Sequence, residues 1–203
     1  MRTILSFFLG AMIIAFVVAS PFFYQRWREQ QFRNFHVVEE GVLYRSGQLT
    51  LPQLQEAVRL HGIRTVISLR DSDKPTDQDE EAWVQGSPGM TFVRLPAKSW
   101  WPDDAGRVPA DENLAAFRNI MNDPKKHPVL VHCFAGVHRT GTMCAIYRMD
   151  YNGWTNQEAM AEMRVFGYTI LDKHEDVHGY MKRYRPPAAP KPIEVIPVSR
   201  TPF

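Results

Sequence analysis

Short apolar runs rich in β-branched residues recur along the chain, separated by amphipathic or polar stretches. Phe35 to Tyr44 reads FHVVEEGVLY, Ile63 to Leu69 IRTVISL, Met90 to Leu95 MTFVRL and Pro128 to Val131 PVLV. Runs of this length and composition predict buried strands, the first of them broken into two pieces at Glu40-Gly41. Helical patterns lie between and after them. Thr50 caps a helix over Leu51–Leu60, with Pro52 in its first turn and His61-Gly62 at its end. Pro109–Met121 is amphipathic and stops at Asn122-Asp123-Pro124. Thr142–Tyr151 reads as a helix that stops at Asn152-Gly153. Thr155-Asn156-Gln157-Glu158 is a capping box that opens a helix through Arg164, with Ala159, Met160 and Met163 on its core face. Strands alternating with helices predict an α/β domain: three layers, α-β-α, around a mostly parallel central sheet.

The two ends of the chain follow other rules. Ile4 to Phe23 runs twenty residues without a charge, enough to cross a hydrocarbon layer of ~30 Å as a helix. Arg2 precedes it, Arg26, Arg28 and Arg33 follow, and Tyr24 and Trp27 suit an interface. The pattern predicts an N-terminal transmembrane helix over residues 4–23. The arginine excess behind it puts the following domain in the cytoplasm, giving a single-pass membrane protein. A cleaved signal peptide ending near Val17-Val18-Ala19 is the rival reading; Pro21 and the length of the apolar run favour an uncleaved anchor. Arg185 to Phe203 is proline-rich and lacks a core pattern, which predicts a disordered tail.

Composition narrows the function classes. In a chain of 203 residues with a formal charge of +2, there is no basic excess to suggest nucleic acid. Asp71 to Glu81 (DSDKPTDQDEE) is an acidic run, but its spacing matches no calcium loop, so a solvated loop and helix start is expected. His174 and His178 share a helix face without a third ligand, which argues for a solvated face over a metal site. Only two cysteines are present, Cys133 and Cys144. They imply no disulfide framework, and a working thiolate would favour a reducing compartment. Cys144 falls within a helix and reads as a core residue, with a disulfide protecting Cys133 as the alternative.

The chemistry concentrates in His132–Thr142, HCFAGVHRTGT. It lies between the Pro128–Val131 strand and a helix. Strand, glycine-bearing loop and helix in that order aim successive backbone N–H groups and a helix N-terminus at one point, as a phosphate requires. Cys133 sits at the strand exit, where those amides favour a nucleophilic thiolate. Arg139, six positions on, carries a planar fork suited to two phosphate oxygens. Gly136 lets the loop turn with positive φ. Thr140 can donate to the departing sulfur, and His132 orients the loop through its ring nitrogens. The phosphate-binding loop is thus Phe134, Ala135, Gly136, Val137, His138 and Arg139.

HCFAGVHRTG resembles the Cys-x5-Arg signature of protein tyrosine and dual-specificity phosphatases. NF(x)VxxGxLYRSGQ, a helix, then GIRTVISLRD resembles the bacterial and the plant or fungal atypical members, so the resemblance spans roughly residues 34–180. It implies the three-layer fold of those enzymes, no metal and no cofactor. Trp101-Pro102-Asp103 resembles their Trp-Pro-Asp loop and stands thirty residues before Cys133. That likeness makes Asp103 the expected general acid, with Asp104 as the alternate. Arg45 and Arg70 are expected in structural ion pairs.

The chain then divides into a membrane anchor or signal peptide with its juxtamembrane segment at residues 1–30, a phosphatase domain at 31–185 and the tail at 186–203. The expected function is hydrolysis of phosphate monoesters, on phosphotyrosine or with dual specificity, through a cysteinyl-phosphate. Its partners would be a phosphorylated protein or small phosphate ester and, through residues 4–23, a membrane, with no nucleic acid. The loop carries no lysine at Phe134, Ala135, Val137 or His138, which argues against polyanion selectivity. The His138-Arg139-Thr140-Gly141 ending, shared with plant and fungal inositol pyrophosphate enzymes, keeps an inositol phosphate or phosphoinositide substrate open. A non-catalytic module that binds phosphorylated ligands is the other reading.

Overall fold

The computed structural model describes residues 16–20 and 33–187. Five strands form one sheet in the order β1-β2-β5-β3-β4: β1 His36–Glu39, β2 Leu43–Ser46, β3 Thr65–Ser68, β4 Thr91–Arg94 and β5 Val129–His132. β2, β5, β3 and β4 run parallel, and β1 pairs antiparallel with β2. The sheet is therefore mixed, with its one antiparallel strand at an edge. β1 and β2 are consecutive and joined through Glu40-Gly41, a connection that only an antiparallel pair can use.

The helices are α1 Leu51–His61, α2 Pro75–Gly86, α3 Ala110–Met121, α4 His138–Tyr151, α5 Asn156–Val165 and α6 Glu175–Arg183. Neighbouring strand residues point to opposite faces, and they split between two cores accordingly. Leu43, Ile67, Val129 and Val131 join Leu114, Phe117, Ile146, Met163 and Met181 on one face. Tyr44, Val66 and Leu130 join Leu54, Ala57 and Val84 on the other. Helices thus cover both faces, giving the three expected layers. A strand buried on both sides reads as a continuous apolar run, which is why PVLV and TVIS carried no polar alternation.

Local chemistry sets the helix ends. Thr50 N donates to Gln53 Oε1 at 2.9 Å and Gly62 closes α1 in the left-handed conformation at φ 63°. At α5, Glu158 N donates to Thr155 Oγ1 at 3.2 Å while Thr155 N donates to Glu158 Oε2 at 2.8 Å, the reciprocal capping box. α4 begins at His138, earlier than the expected Thr142, so the last loop residues already belong to its first turn.

The expectation of a single-pass membrane helix over residues 4–23, with its membrane localisation and cytoplasmic placement, is corrected. Among the described residues no helix is long and apolar enough to cross a membrane. Within that stretch the described helix covers residues 16–20 alone; the rest of 4–23, like most of the expected tail, lies outside the described residues.

Register fixes where the chemistry falls. Ser46 and Ser68 both stand opposite His132. The chain therefore leaves three adjacent strands at one edge, through Gly47, Leu69 and Cys133. Crevices at the carboxyl ends of parallel strands are where α/β folds bind ligands.

Candidate active site

At that edge residues 133–139 wrap into a loop whose carbonyls are taken from outside. Gln48 N donates to Phe134 O at 2.9 Å. Asn34 Nδ2 reaches Ala135 O at 3.3 Å and Gly136 O at 3.1 Å. Arg45 Nη2 donates to the same Gly136 O at 2.7 Å. In a planar trans peptide the next N–H points opposite to the carbonyl. Holding these three oxygens outward therefore turns the N–H groups of Ala135, Gly136 and Val137 inward. Among the described residues, none of the backbone N–H groups of residues 134–139 donates to a protein acceptor. That is the donor set of an anion cradle, closed by the first turn of α4.

Two glycines make the wrapping possible. Gly136 has φ 71°, and a Cβ there would lie 2.5 Å from Gly47 N and 2.6 Å from Ser46 C. A Cβ on Gly47 would in turn meet Phe134 O at 2.9 Å. The loop and the segment after β2 cross with no room for a side chain on either.

Cys133 is buried and free of disulfide. It lines an open cleft of about 470 Å³ together with Phe134, Ala135, His138 and Arg139 from the loop. The opposite wall is Arg70, Asp71, Asp73, Lys74 and Asp77. Cys133 and Arg139 thus share one cleft. Arg139 is exposed, with Nη1 donating to Leu69 O at 3.0 Å, which steadies the guanidinium and leaves its other donors available. His138 packs one side of its ring on Tyr168 at 4.3 Å and meets His174 at 5.4 Å. Desolvation and then His174 push its imidazole below the usual histidine range.

His132 is buried, with Nδ1 3.4 Å from Cys133 O. Its Nε2 approaches Glu80 Oε1 to 3.1 Å, at ion-pair distance but without hydrogen-bond geometry. Glu80 is itself buried and accepts from Gln48 Nε2 at 3.2 Å. Thr140 is buried too, and its hydroxyl makes no hydrogen bond among the described residues, to Cys133 or otherwise. Val137 is half-buried against the core. Cys144 lies fully inside the core, where burial pushes its thiol up to about 11.

Asp103 is placed differently. It and Asp104 are not among the residues lining the cleft. Asp103 Oδ1 accepts from Arg107 N at 2.8 Å and Ala105 N at 3.0 Å, and Oδ2 pairs with Arg107 Nη2 at 2.9 Å. The Arg107 amide, aided by its guanidinium and the Ala105 amide, holds this carboxyl below the usual range. The stretch leading to it does approach the site. Leu69, Leu95, Lys98, Trp100 and Met143 enclose a small recess that shares Arg139 with the cleft.

Two further expectations need correction. Arg70 is in a bidentate pair with Asp77, at 2.5 and 2.9 Å, but Arg45 meets no carboxylate among the described residues; its partners are Gly136 O and the Phe166 ring. The acidic run is not wholly solvated. Asp77 and Glu80 are buried, facing Arg70 and His132. Sequence reading missed Asn34, Gln48 and Glu80 as supports of the loop. A guanidinium within an apolar strand was the one signal available for Arg45.

Known proteins resemble this chain in sequence and in fold. Dual specificity protein phosphatase TpbA of Pseudomonas aeruginosa is 32% identical over 142 residues, 69% of this chain and 58% of that protein. The chain thus spans little more than half the length of the curated relatives it matches. Inositol diphosphatase DSP5 of Arabidopsis thaliana is 29% identical over 131 residues, 64% of this chain and 59% of its own. The crystal structure of TpbA superposes with a TM-score of 0.57 at 29% identity, covering 75% of this chain and 85% of TpbA. The catalytic core of the PP-IP phosphatase Siw14 from S. cerevisiae, at 21% identity and a TM-score of 0.58 over 75% of this chain and 85% of that one, shares the fold. Residues 24–178 match the family described as DSP-PTPase phosphatase fused to NAD+ kinase, and the chain belongs to this family of cysteine-dependent dual-specificity phosphatases.

Proposed function

We propose that this chain hydrolyses phosphate monoesters, of tyrosine or with dual specificity, through a cysteinyl-phosphate. The observation that carries the reading is the inward set of loop amides facing one cleft with Cys133 and Arg139. In the first step the Cys133 sulfur attacks phosphorus. An S–P bond forms as the P–O bond to the leaving group breaks, while Arg139 and the amides hold the remaining oxygens. Asp103 gives its proton to the departing oxygen. In the second step water attacks phosphorus, the S–P bond breaks, the Asp103 carboxylate takes the water's proton, and inorganic phosphate leaves. Delivery of the proton requires Asp103 to let go of Arg107, with Asp104 as the alternate acid. His132 and Thr140 support the loop.

The charge of the cleft favours a monoester over a polyphosphate. Its cations, Arg70, Lys74 and Arg139, are matched by Asp71, Asp73 and Asp77, and Arg70 is already committed to Asp77. A ligand bearing many phosphates needs an excess of cations on both walls. TpbA has been solved with phosphotyrosine bound, which agrees with this reading. Inositol phosphates remain the second reading through the DSP5 likeness. Release of p-nitrophenol from p-nitrophenyl phosphate by the wild-type chain, abolished in Cys133→Ser, tests the mechanism. Unchanged turnover in that variant would exclude it, and a chain that binds phosphate without any turnover would be a binding module. Phosphotyrosine peptide against inositol hexakisphosphate, side by side, decides the substrate class.

A further inference from the structure

Arg45 is a cation that the proposed mechanism does not use. It comes from β2, an inner strand between β1 and β5, and is 1% exposed. Its Nη2 donates to Gly136 O at 2.7 Å and would lie 3.6 Å from a Cβ on Gly141, in the first turn of α4. The guanidinium therefore sits directly behind the loop, on the side away from the cleft. Its Cζ lies 4.5 Å from the Phe166 ring centre, which covers it from solvent. No carboxylate among the described residues neutralises it, and its Nε is buried without a hydrogen-bond partner.

Burying a guanidinium without a counter-charge is expensive. A packed core of this size has apolar alternatives for such a position, and α/β strands ordinarily use them. What the arrangement provides is positive potential inside a region of low dielectric, where charges act over longer distances than in water. The potential is directed at a loop that must accept an anion. The same group also holds the Gly136 carbonyl outward and so points the Val137 amide into the cradle. Asn34 grips that carbonyl as well, without charge.

We propose that Arg45 is a positioning residue for phosphate. It fixes the Gly136–Val137 peptide and supplies a second positive charge from behind the cradle, while Arg139 supplies one from the front. The inference rests on the reading of residues 133–139 as a phosphate cradle, but not on turnover. Binding of inorganic phosphate to the full chain carrying Cys133→Ser, followed by calorimetry, tests it even if the chain proves not to be an enzyme.

In that background Arg45→Met, which keeps length and removes charge, should weaken phosphate binding about 10- to 100-fold, the scale of a lost hydrogen bond to a charged group. Arg45→Lys should recover a substantial part of that loss, since a charge restored behind the loop acts on the anion whatever its hydrogen-bond geometry. Asn34→Ala, which loosens the same carbonyl without changing charge, should cost less than Arg45→Met. A purely structural Arg45 would leave Met and Lys equally impaired, or phosphate affinity unchanged while Tm falls; either result overturns the proposal. If Arg45→Met does not fold, Phe166→Ala gives a second route, because Phe166 is only half-buried. Opening Arg45 to water should weaken phosphate binding a few-fold and make it more sensitive to salt. Affinity and salt dependence both unchanged in Phe166→Ala would sink the idea. Absence of p-nitrophenyl phosphate turnover in the wild-type chain, with these affinity differences intact, would count against the enzyme alone.

Discussion

The two halves of the proposed reaction are built in different ways. The phosphate loop at residues 133–139 is gripped by groups nearly a hundred residues away in sequence: Asn34, Arg45 and the Gln48 amide. Among the described residues, the turn carrying Asp103 is closed by its own neighbours, Ala105, Gly106 and Arg107. Trp100, beside it, is anchored against Tyr180 at 4.8 Å, whereas Trp101 is exposed. In the proposed reaction, anion binding is therefore preorganised by tertiary contacts, and proton delivery is assigned to a locally determined surface turn. The difference has a physical reason. Amides must be aimed before the anion arrives, because reorienting them during reaction costs the stabilisation they provide. An acid needs only to be within reach when the leaving group departs.

The sharpest way to break that comparison is through the crossing of the two glycines. Gly136→Ala places a methyl 2.5 Å from Gly47 N and forces a side chain into a left-handed backbone. Phosphate ester turnover should fall at least about 100-fold, as for loss of an oxyanion donor, with a lower Tm in a thermal melt. Wild-type kinetics in that variant would mean the cradle is not preformed. The acid half gives a leaving-group signature instead. Asp103→Asn should cost about 100-fold on an alkyl phosphate and much less on p-nitrophenyl phosphate, whose phenolate needs little protonation. A loss confined to Asp104→Asn would transfer the role to its neighbour.

Stability separates the regions further. Asp77, with its side chain wholly buried, holds Arg70 against the cleft wall. Burial alone would raise its carboxyl, but the hydrogen bonds from Arg70 and the nearby Arg94 bring it below the usual range. Asp77→Ala should therefore destabilise the fold by about 3 kcal/mol, the cost of leaving a buried partner unpaired, read as a shift in urea midpoint. Since the folded carboxyl is the stronger acid, its contribution is complete above the unfolded value of about 4 and is lost as pH falls through the folded one. The wild-type chain should lose stability below about pH 4 more steeply than Asp77→Ala. The smallest effect belongs to the turn. Arg107→Ala should leave Tm unchanged, as exposed ion pairs generally do. If Asp103 is the acid, the alkaline limb of the kcat/KM profile should move upward, because a lowering influence is removed.

Much of the architecture was readable from periodicity. PVLV is apolar throughout and IRTVISL has an apolar Val66-Ile67 centre because β5 and β3 are covered on both faces, and Thr50 and Thr155 mark their helices by local hydrogen bonds. The loop was readable too, since Cys133, Gly136 and Arg139 are close in sequence and their chemistry is explicit. Its supports were less so. Whether Arg45 pairs with a carboxylate or a carbonyl depends on which strand lies beside β2, and only the fold decides that. Asp77 and Glu80 look like members of a solvated acidic run, yet α2 turns them toward Arg70 and His132. For Asp103 the sequence offered a three-residue likeness, whereas its partner Arg107 is fixed by the shape of a turn.

The crossing at Gly47 and Gly136 has a consequence for how the molecule can be divided. A fragment cut to contain the Cys-x5-Arg stretch with its strand and helix would keep Cys133 and Arg139 and lose the backbone that both lean on. The shortest unit able to recognise phosphate should begin no later than Asn34, a boundary drawn by two stretches of main chain touching and not by the motif.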